Sequence, residues 1–341
     1  MFWWTNLYRQ VDAVPNYDQL GSLPYYGLVA IQQLALFSVP AFLFISGFFI
    51  AYAARGGSGS PSLSWKFVRT QIARLLWPYL LWSVVIFIAD GLQGTRYSPL
   101  EYVKRLVVGE ATSAYFFVPL LCQLYLLSPT IARWGKKMGG WLIGIAVLIQ
   151  LVATGVLYLP LLGVAVPDWV YNRGELFFWH AIYFPLGTVC GFHYGRLKDR
   201  LVRAKWGLLV ATVVLGALSI LESEVLYRET LNYGWARGGL KFSTILYAIA
   251  FILFFLTLSK PAIPFKQAIN QIGTKSYGVY LLHPKVLELI ARVIYHVAPW
   301  MLAHQILYQP VLVAIGTGIP LLFMNWVMKS RAKKLSHYLF G

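Results

Sequence analysis

The segment between residues 275 and 292 is the apolar stretch richest in side chains that could move a proton or hold a charge. Lys285, Glu288 and Arg292 are three and four residues apart, so on a helix they share one face. Ionisable groups inside a membrane are functional candidates by default, but buried charges are also commonly paired for structural reasons. We interpret Glu288 first as a carboxylate neutralised by its two basic neighbours. A functional polar site is the alternative.

His283 lies on a different face of the same predicted helix and is followed by Pro284. Because proline has no N–H, the carbonyl of Tyr280 loses its usual helical partner. The helical rise places this break about 12 Å along the helix from Lys275. Histidine titrates near neutral pH, so His283 is a candidate for proton transfer. A structural histidine with satisfied hydrogen bonds is the alternative, and the sequence leaves both open.

Two arginines lie just before the apolar stretch 75–92. Arg69 and Arg74 could grip the phosphates of an anionic ligand, because guanidinium groups bind phosphate through paired hydrogen bonds. Basic residues are also ordinary at the cytoplasmic edge of a membrane helix. Composition alone favours that anchoring role. Ser46, Tyr125 and Tyr277 are further polar side chains inside apolar stretches.

The elements that position these residues are membrane helices. The 341-residue chain is 58% hydrophobic, 16% aromatic and 12% charged, with a mean hydropathy of +0.62. This composition excludes an ordinary soluble enzyme. A membrane helix needs about 20 mostly apolar residues. Nine stretches meet that length: 30–54, 75–92, 113–132, 139–160, 176–195, 204–221, 240–259, 276–296 and 307–328.

Charge alternates between the loops. Basic residues cluster after every odd-numbered stretch, whereas most of the 12 acidic residues fall on the opposite side. The positive-inside rule therefore predicts a cytoplasmic C-terminal tail, residues 329–341, and an external N-terminal segment, residues 1–27. The same loops explain the formal charge of +17, so we expect no nucleic-acid partner. We predict one all-α polytopic membrane domain over residues 1–341.

Familiar catalytic motifs are missing. The chain has no Gly-x-Ser-x-Gly nucleophile turn, no phosphate-binding P-loop and no metal-ligand spacing such as His-Glu-x-x-His. We therefore expect no metal site.

Five segments, taken together, resemble the acyltransferase-3 family of membrane acyltransferases. They follow one another in the family's order over most of the chain. The segments are Val39 to Ile50 with its Ser46-Gly47-Phe48, Arg74-Leu-Leu-Trp-Pro-Tyr79, Tyr115 to Pro129, Phe184-Pro-Leu-Gly187, and Ile272 to His283 with its Ser-Tyr and Tyr-Leu-Leu-His.

This resemblance implies a bundle of ten membrane helices with both termini in the cytoplasm, of which nine are found here. Members transfer an acyl group, usually acetyl from acetyl-CoA, to a hydroxyl of a sugar or other envelope glycan. For this chain the resemblance implies acetyl-CoA or another acyl-CoA as donor substrate and no bound cofactor. It also implies a carbohydrate or glycolipid acceptor and a place among the lipids of the cell membrane. Arg69 and Arg74 would then bind the donor.

The family's first helix carries a histidine thought to be catalytic, and residues 1–27 contain no histidine. Loss of a general base typically costs about 10²–10⁴-fold in rate, so we expect slow acyl transfer by this chain alone. Gln71 also replaces the arginine that the family places three residues before Arg74. His283 is then the deepest remaining candidate for catalysis.

Two other functions stay open. An inactive membrane partner or scaffold is one, and a solute carrier with charged groups near the midplane is the other. No pair of similarly interrupted helices marks the repeats of a carrier. The acyl chain, the acceptor and the oligomeric state do not follow from the sequence.

Overall fold

The computed structural model describes residues 23–55, 63–167, 170, 174–258 and 266–341. Within these ranges the chain forms helices and turns and no strand. In chain order the α-helices are α1 (Leu23–Ala35), α2 (Ser38–Arg55), α3 (Trp65–Leu92), α4 (Pro99–Val108), α5 (Phe117–Lys137), α6 (Gly139–Tyr158), α7 (Tyr183–Arg203), α8 (Lys205–Thr230), α9 (Tyr233–Ala236), α10 (Phe242–Leu256), α11 (Lys266–Thr274), α12 (Ser276–Val297), α13 (Trp300–Ala303), α14 (Gln305–Lys329) and α15 (Ser336–Phe340). Short 3₁₀ helices cover Leu159–Leu162, Phe177–His180 and Arg331–Leu335.

Five helices in the described part are long and apolar enough to cross a membrane. They are Tyr25–Arg55, Trp65–Leu92, Gly139–Leu162, Lys205–Thr230 and Gln305–Lys329. Each of the nine apolar stretches chosen from the sequence contains a helix of the structure, so the all-α membrane fold is confirmed. The number of crossings and the side on which the chain ends stay predictions.

Proline explains two helix boundaries that the hydropathy pattern misplaces. The predicted fifth stretch, 176–195, is continuous, whereas α7 begins only at Tyr183. A helix begun at 176 would carry Pro185 in its interior, while α7 places it in the first turn, where its missing N–H costs nothing. Pro40 holds the same position in α2 and follows the break after Ala35. Of the predicted external segment, residues 1–22 lie outside the described residues, and Leu23 already begins a helix.

The chain divides into two compact units, and each is described separately. The first consists of Met1–Leu28, Gln71–Pro119 and Ala262–Gly341, and the second of Val29–Thr70 and Leu120–Pro261. In the first unit the predicted tail 329–341 is folded. Phe340 is buried with Leu282 and Met324, and Trp82 Nε1 donates to the carbonyl of Leu339 at 2.8 Å. The apolar Phe340 holds the tail against α12 and α14.

In the second unit α2 and α7 are in backbone contact. A Cβ added at Gly47 or Gly187 would overlap a carbonyl oxygen of the facing helix, that of Phe184 or of Phe44. Thr188 Oγ1 joins the two helices, since it is 3.1 Å from the carbonyl of Gly47. Small residues permit such close packing in membranes, where the hydrophobic effect does not drive helices together. Two of the family-like segments therefore contact each other.

The same unit contains backbone without α-helix between residues 174 and 182, where turns flank the 3₁₀ helix Phe177–His180, and two glutamines bond to its carbonyls. Gln123 Nε2 donates to the carbonyl of Glu175 at 2.8 Å, and Gln150 Nε2 donates to the carbonyl of Trp179 at 2.9 Å. Irregular backbone at membrane depth needs such internal partners, because lipid supplies none. These contacts explain why polar Gln150 is 3% exposed inside the apolar helix α6.

Candidate functional site

His283 is held by the carbonyl that its neighbouring proline leaves without a partner. Its Nδ1 is 2.7 Å from the carbonyl oxygen of Tyr280 and 3.2 Å from that of Val279. Carbonyl oxygens only accept hydrogen bonds, so Nδ1 carries the proton of the neutral ring. Nε2 is then left with its lone pair and is the nitrogen that could take a proton. The histidine therefore supports the helix with one nitrogen and keeps the other for chemistry.

A serine in the second unit makes the corresponding contact. Ser128 precedes Pro129, and its hydroxyl donates at 2.7 Å to the carbonyl of Tyr125. This carbonyl lacks its helical hydrogen bond because Pro129 has no N–H. A hydroxyl is thus sufficient to satisfy a carbonyl freed by proline. His283 makes the equivalent hydrogen bond to Tyr280 with a larger side chain, which has a second ring nitrogen. This comparison keeps the functional interpretation of His283 alongside the structural one.

Four tyrosines pack beside His283 in the first unit. Ring centroids are 5.5 Å apart for Tyr79 and Tyr115, 6.1 Å for Tyr115 and Tyr280, and 6.1 Å for Tyr280 and Tyr277. The His283 ring is 6.0 Å from Tyr280. Three family-like segments, those carrying Tyr79, Tyr115 and His283, therefore contribute to one aromatic cluster.

The tyrosine hydroxyls in this cluster serve backbone carbonyls. Tyr115 donates to Leu281 at 2.7 Å, and Tyr277 donates to Leu75 at 2.6 Å. Tyr277, chosen from the sequence as a polar site residue, thereby fixes α12 against α3. Its contacts are those of a positioning residue for the helix that carries His283.

The predicted charged face of α12 is present, and a fourth charged residue from α3 pairs with it. Glu288 lies 2.7 Å from Lys285 Nζ and 2.7 Å from Arg292 Nη2, as the spacing predicts. Lys285 Nζ also contacts Asp90 of α3 at 2.6 Å, a partner that sequence reasoning missed. The four formal charges balance. Asp90 and Lys285 are 195 residues apart, so spacing does not predict their contact. The one sequence feature that marks Asp90 is its place near the end of the apolar stretch 75–92.

This network borders an apolar cavity of about 340 Å³ in the first unit. Trp82, Leu281 and Leu289 contribute to its wall, and Lys285 and Glu288 stand at one side. Arg292 also lines it and is half exposed. The cavity thus combines apolar walls with a charge-balanced polar border.

Ser46 and Tyr125 come together in the second unit. Their side chains lie close enough to interact, and the Tyr125 ring packs against Phe184 at 6.2 Å between centroids. Ser46 also directly precedes Gly47, which packs on Phe184. Three family-like segments therefore meet here, and the polar pair lies beside the glycine contact between α2 and α7.

Arg69 and Arg74 occupy the N-terminal third of α3 and are both exposed. Within the described part of the chain neither has an acidic partner. Pro78 follows four residues after Arg74 and leaves its carbonyl without the helical N–H. Both guanidinium groups are available to an anionic ligand, and their predicted role in donor binding stays a prediction.

A buried polar network in the second unit is not predicted by the sequence pattern. Lys241 is fully buried, and its Nζ donates to Gln33 Oε1 at 2.8 Å and to the carbonyl of Gly238 at 2.5 Å. Arg237, 3% exposed, pairs with Glu224 at 3.0 Å and with Ser223 at 2.8 Å. The one sequence feature that could have indicated this network is the polar residue Gln33 inside the apolar stretch 30–54. Every one of these groups has a partner, as buried polar groups require.

Comparisons with known proteins agree with this structure. The model of the family described as "Acyltransferase domain" matches residues 11–325. A relative, YfiQ of Bacillus subtilis strain 168, whose name describes it as a membrane-bound acyltransferase, is 24% identical over 266 residues. That alignment covers 74% of this chain and 69% of the relative. No solved structure matches. The family match spans most of the chain, and the chain belongs to the acyltransferase-3 family of membrane acyltransferases.

Proposed function

We propose that this chain is an O-acyltransferase of the cell membrane. In this proposal it moves an acyl group, acetyl in the simplest case, from acyl-CoA to a hydroxyl of an envelope polysaccharide or a lipid-linked sugar. The observation that carries the proposal is the bonding of His283, whose Nδ1 donates to the carbonyl of Tyr280. The remaining nitrogen is a neutral base set into the helix of the family's Tyr-Leu-x-His segment.

The chemistry needs one proton carrier. In the proposed step Nε2 of His283 accepts the proton of the acceptor hydroxyl while its oxygen bonds to the thioester carbon. The tetrahedral adduct then collapses, the carbon–sulfur bond breaks, and the imidazolium returns the proton to the departing thiolate. The products are the acyl ester and free CoA, and the histidine is regenerated. The thioester oxygen needs hydrogen-bond donors as it gains charge.

Donor binding would use the cations of α3. Acyl-CoA brings phosphates that remain at the water interface while its thioester arm extends inward. Arg74 stands four residues before Pro78 in the family-like segment, and Arg69 lies further towards the start of the helix. Charge-assisted contacts of this kind are worth about 1.5–3 kcal/mol each. Loss of Arg74 should therefore weaken apparent donor binding by roughly ten- to a hundredfold, and loss of Arg69 by less.

The test is transfer itself. The full chain, reconstituted in nanodiscs, is incubated with labelled acetyl-CoA and either envelope polysaccharide or a lipid-linked sugar, with empty nanodiscs as control. Label in an alkali-labile ester of one acceptor supports the proposal and identifies the acceptor class. Absence of ester with every acceptor contradicts it and favours the inactive partner. Uptake of labelled sugar into sealed vesicles without ester formation favours the carrier.

A further inference from the structure

A second basic site lies in the second unit, apart from the residues used above. It is a cleft of about 570 Å³, within the range of about 300–1,000 Å³ that small-molecule sites occupy. The cleft brings together the end of α2, the last turn of α5 and the middle of α7. Its lining residues are Arg55, Lys136, Phe192, His193, Gly195 and Arg196. Every ionisable side chain among them is a base, and none is an acid.

Arg55 is fixed in place without being neutralised. Its Nη2 donates to the carbonyls of Gly191, at 2.7 Å, and Phe192. Its guanidinium carbon lies 5.9 Å from the centre of the Phe192 ring. Carbonyl oxygens and an aromatic face carry no net charge, so these contacts give Arg55 no countercharge. Arginine has five N–H donors, and those not used here remain for a ligand.

His193 is oriented by a neighbouring helix. Its Nε2 is 3.2 Å from the carbonyl of Gly135 at the end of α5. Since that carbonyl accepts, Nε2 is the donor, and the contact fixes the ring at the wall of the cleft.

Lys136 and Arg196 provide mobile cations. Both are exposed, and within the described residues neither pairs with an acid. Asp199, three residues beyond Arg196 on α7, is also exposed. Within the described residues it forms no ion pair with Arg196. Lys136 and Arg55 lie in the last turns of α5 and α2, so the helix dipoles offset part of both charges. Three cations that share one cleft repel each other, and an anion bound between them would relieve that repulsion.

We propose that this cleft is a binding site for a phosphomonoester dianion, carried by a soluble nucleotide or by a phospholipid headgroup. The guanidinium groups of Arg55 and Arg196 and the ammonium group of Lys136, from three helices, are donors of the kind that bind phosphate oxygens. The proposal stands apart from acyl transfer, because it concerns binding and is measured without turnover.

The experiment measures two probes on the full chain in nanodiscs. Uridine 5′-monophosphate, which is not part of the proposed donor, is titrated in phosphatidylcholine nanodiscs, and phosphatidate enrichment around the protein is measured in mixed nanodiscs by native mass spectrometry. The variant is Lys136→Gln combined with Arg196→Gln. The matched control is Lys137→Gln combined with Arg200→Gln, two exposed bases on the same helices that do not line the cleft.

We expect the cleft variant to lose at least about tenfold in affinity for one of the two probes, and the control variant to lose less than about threefold. Loss of nucleotide binding identifies a soluble ligand, and loss of phosphatidate enrichment identifies a lipid. An equal loss in both variants would show a diffuse basic surface and overturn the site. Binding of neither probe to the unmodified chain would overturn it as well. Thermal unfolding of both variants in the same nanodiscs checks that the fold is intact.

Discussion

The contact between α2 and α7 makes a sharp prediction about glycine substitution. At Gly191 an added Cβ would stand 2.7 Å from the Cβ of Ala51 and 2.9 Å from the carbonyl oxygen of Phe48. Optimal contacts between carbon atoms are about 3.5–4.0 Å, so the helices would have to separate by roughly 0.8 Å. At Gly187 the overlap is with the backbone of Phe44 and is more severe, and backbone cannot rotate away.

The cost follows from close packing. Overfilling a packed interface typically costs about 1–3 kcal/mol, and this is the expected loss for Gly191→Ala. Gly187→Ala should cost more, about 2–4 kcal/mol, because separation of the helices also strains the hydrogen bond from Thr188 to Gly47. Alanine has the higher helix propensity, which returns at most about 1 kcal/mol.

The assay is unfolding of the purified chain in mixed micelles by titration with a denaturing detergent. Gly195→Ala on the same helix is the control for stability, since a Cβ there meets nothing within 4 Å. The free energy of unfolding should fall in the order Gly195→Ala, Gly191→Ala, Gly187→Ala. Equal stabilities of the three variants would refute the backbone contact between α2 and α7.

Three further predictions concern other parts of the chain. Ser128→Ala should destabilise the fold by about 1–3 kcal/mol, because it leaves the Tyr125 carbonyl unsatisfied in an apolar setting; Ser128→Thr should restore most of this in the same unfolding assay. Lys285→Met should cost about 1–3 kcal/mol, since it leaves Asp90 without its cation, and a double variant with Asp90→Asn should recover part of the loss, as a double-mutant cycle would reveal. If the charge alternation sets the topology, an impermeant thiol reagent added outside should label Glu229→Cys and leave Asp199→Cys unmodified, and the reverse pattern would contradict it.

Periodicity and apolar length predicted the helices of this fold. Lys285, Glu288 and Arg292 meet because they lie on one helix, where spacing alone determines neighbours. Apolar length likewise placed a helix in every stretch chosen from the sequence. Segment resemblance was informative in a different way, since the segments that carry Gly47 and Gly187 are distant in sequence and pack on each other.

Long-range pairing was beyond the sequence. Asp90 reaches Lys285, and Gln33 reaches Lys241, through contacts that exist only after the helices assemble. Hydropathy also treated 176–182 as helix, because Gln123 and Gln150, which satisfy its irregular backbone, are remote in sequence. The folded tail was missed because its apolar residues, Phe340 and Leu339 among them, are too few to form an apolar stretch.

The two roles of His283 can be separated by one substitution. Asparagine places an amide N–H close to the position of histidine Nδ1, so His283→Asn retains a donor for the Tyr280 carbonyl and removes the base at Nε2. His283→Ala removes both, and it should lower stability as well as activity.

The most direct test is the rate of acetyl transfer by His283→Asn, measured in nanodiscs beside its stability. We predict a fall of about 10²–10⁴-fold in rate, with a free energy of unfolding within about 0.5 kcal/mol of the unmodified chain. A rate within about tenfold of the unmodified chain, at unchanged stability, would show that His283 is a structural partner of Pro284 and that another group accepts the proton.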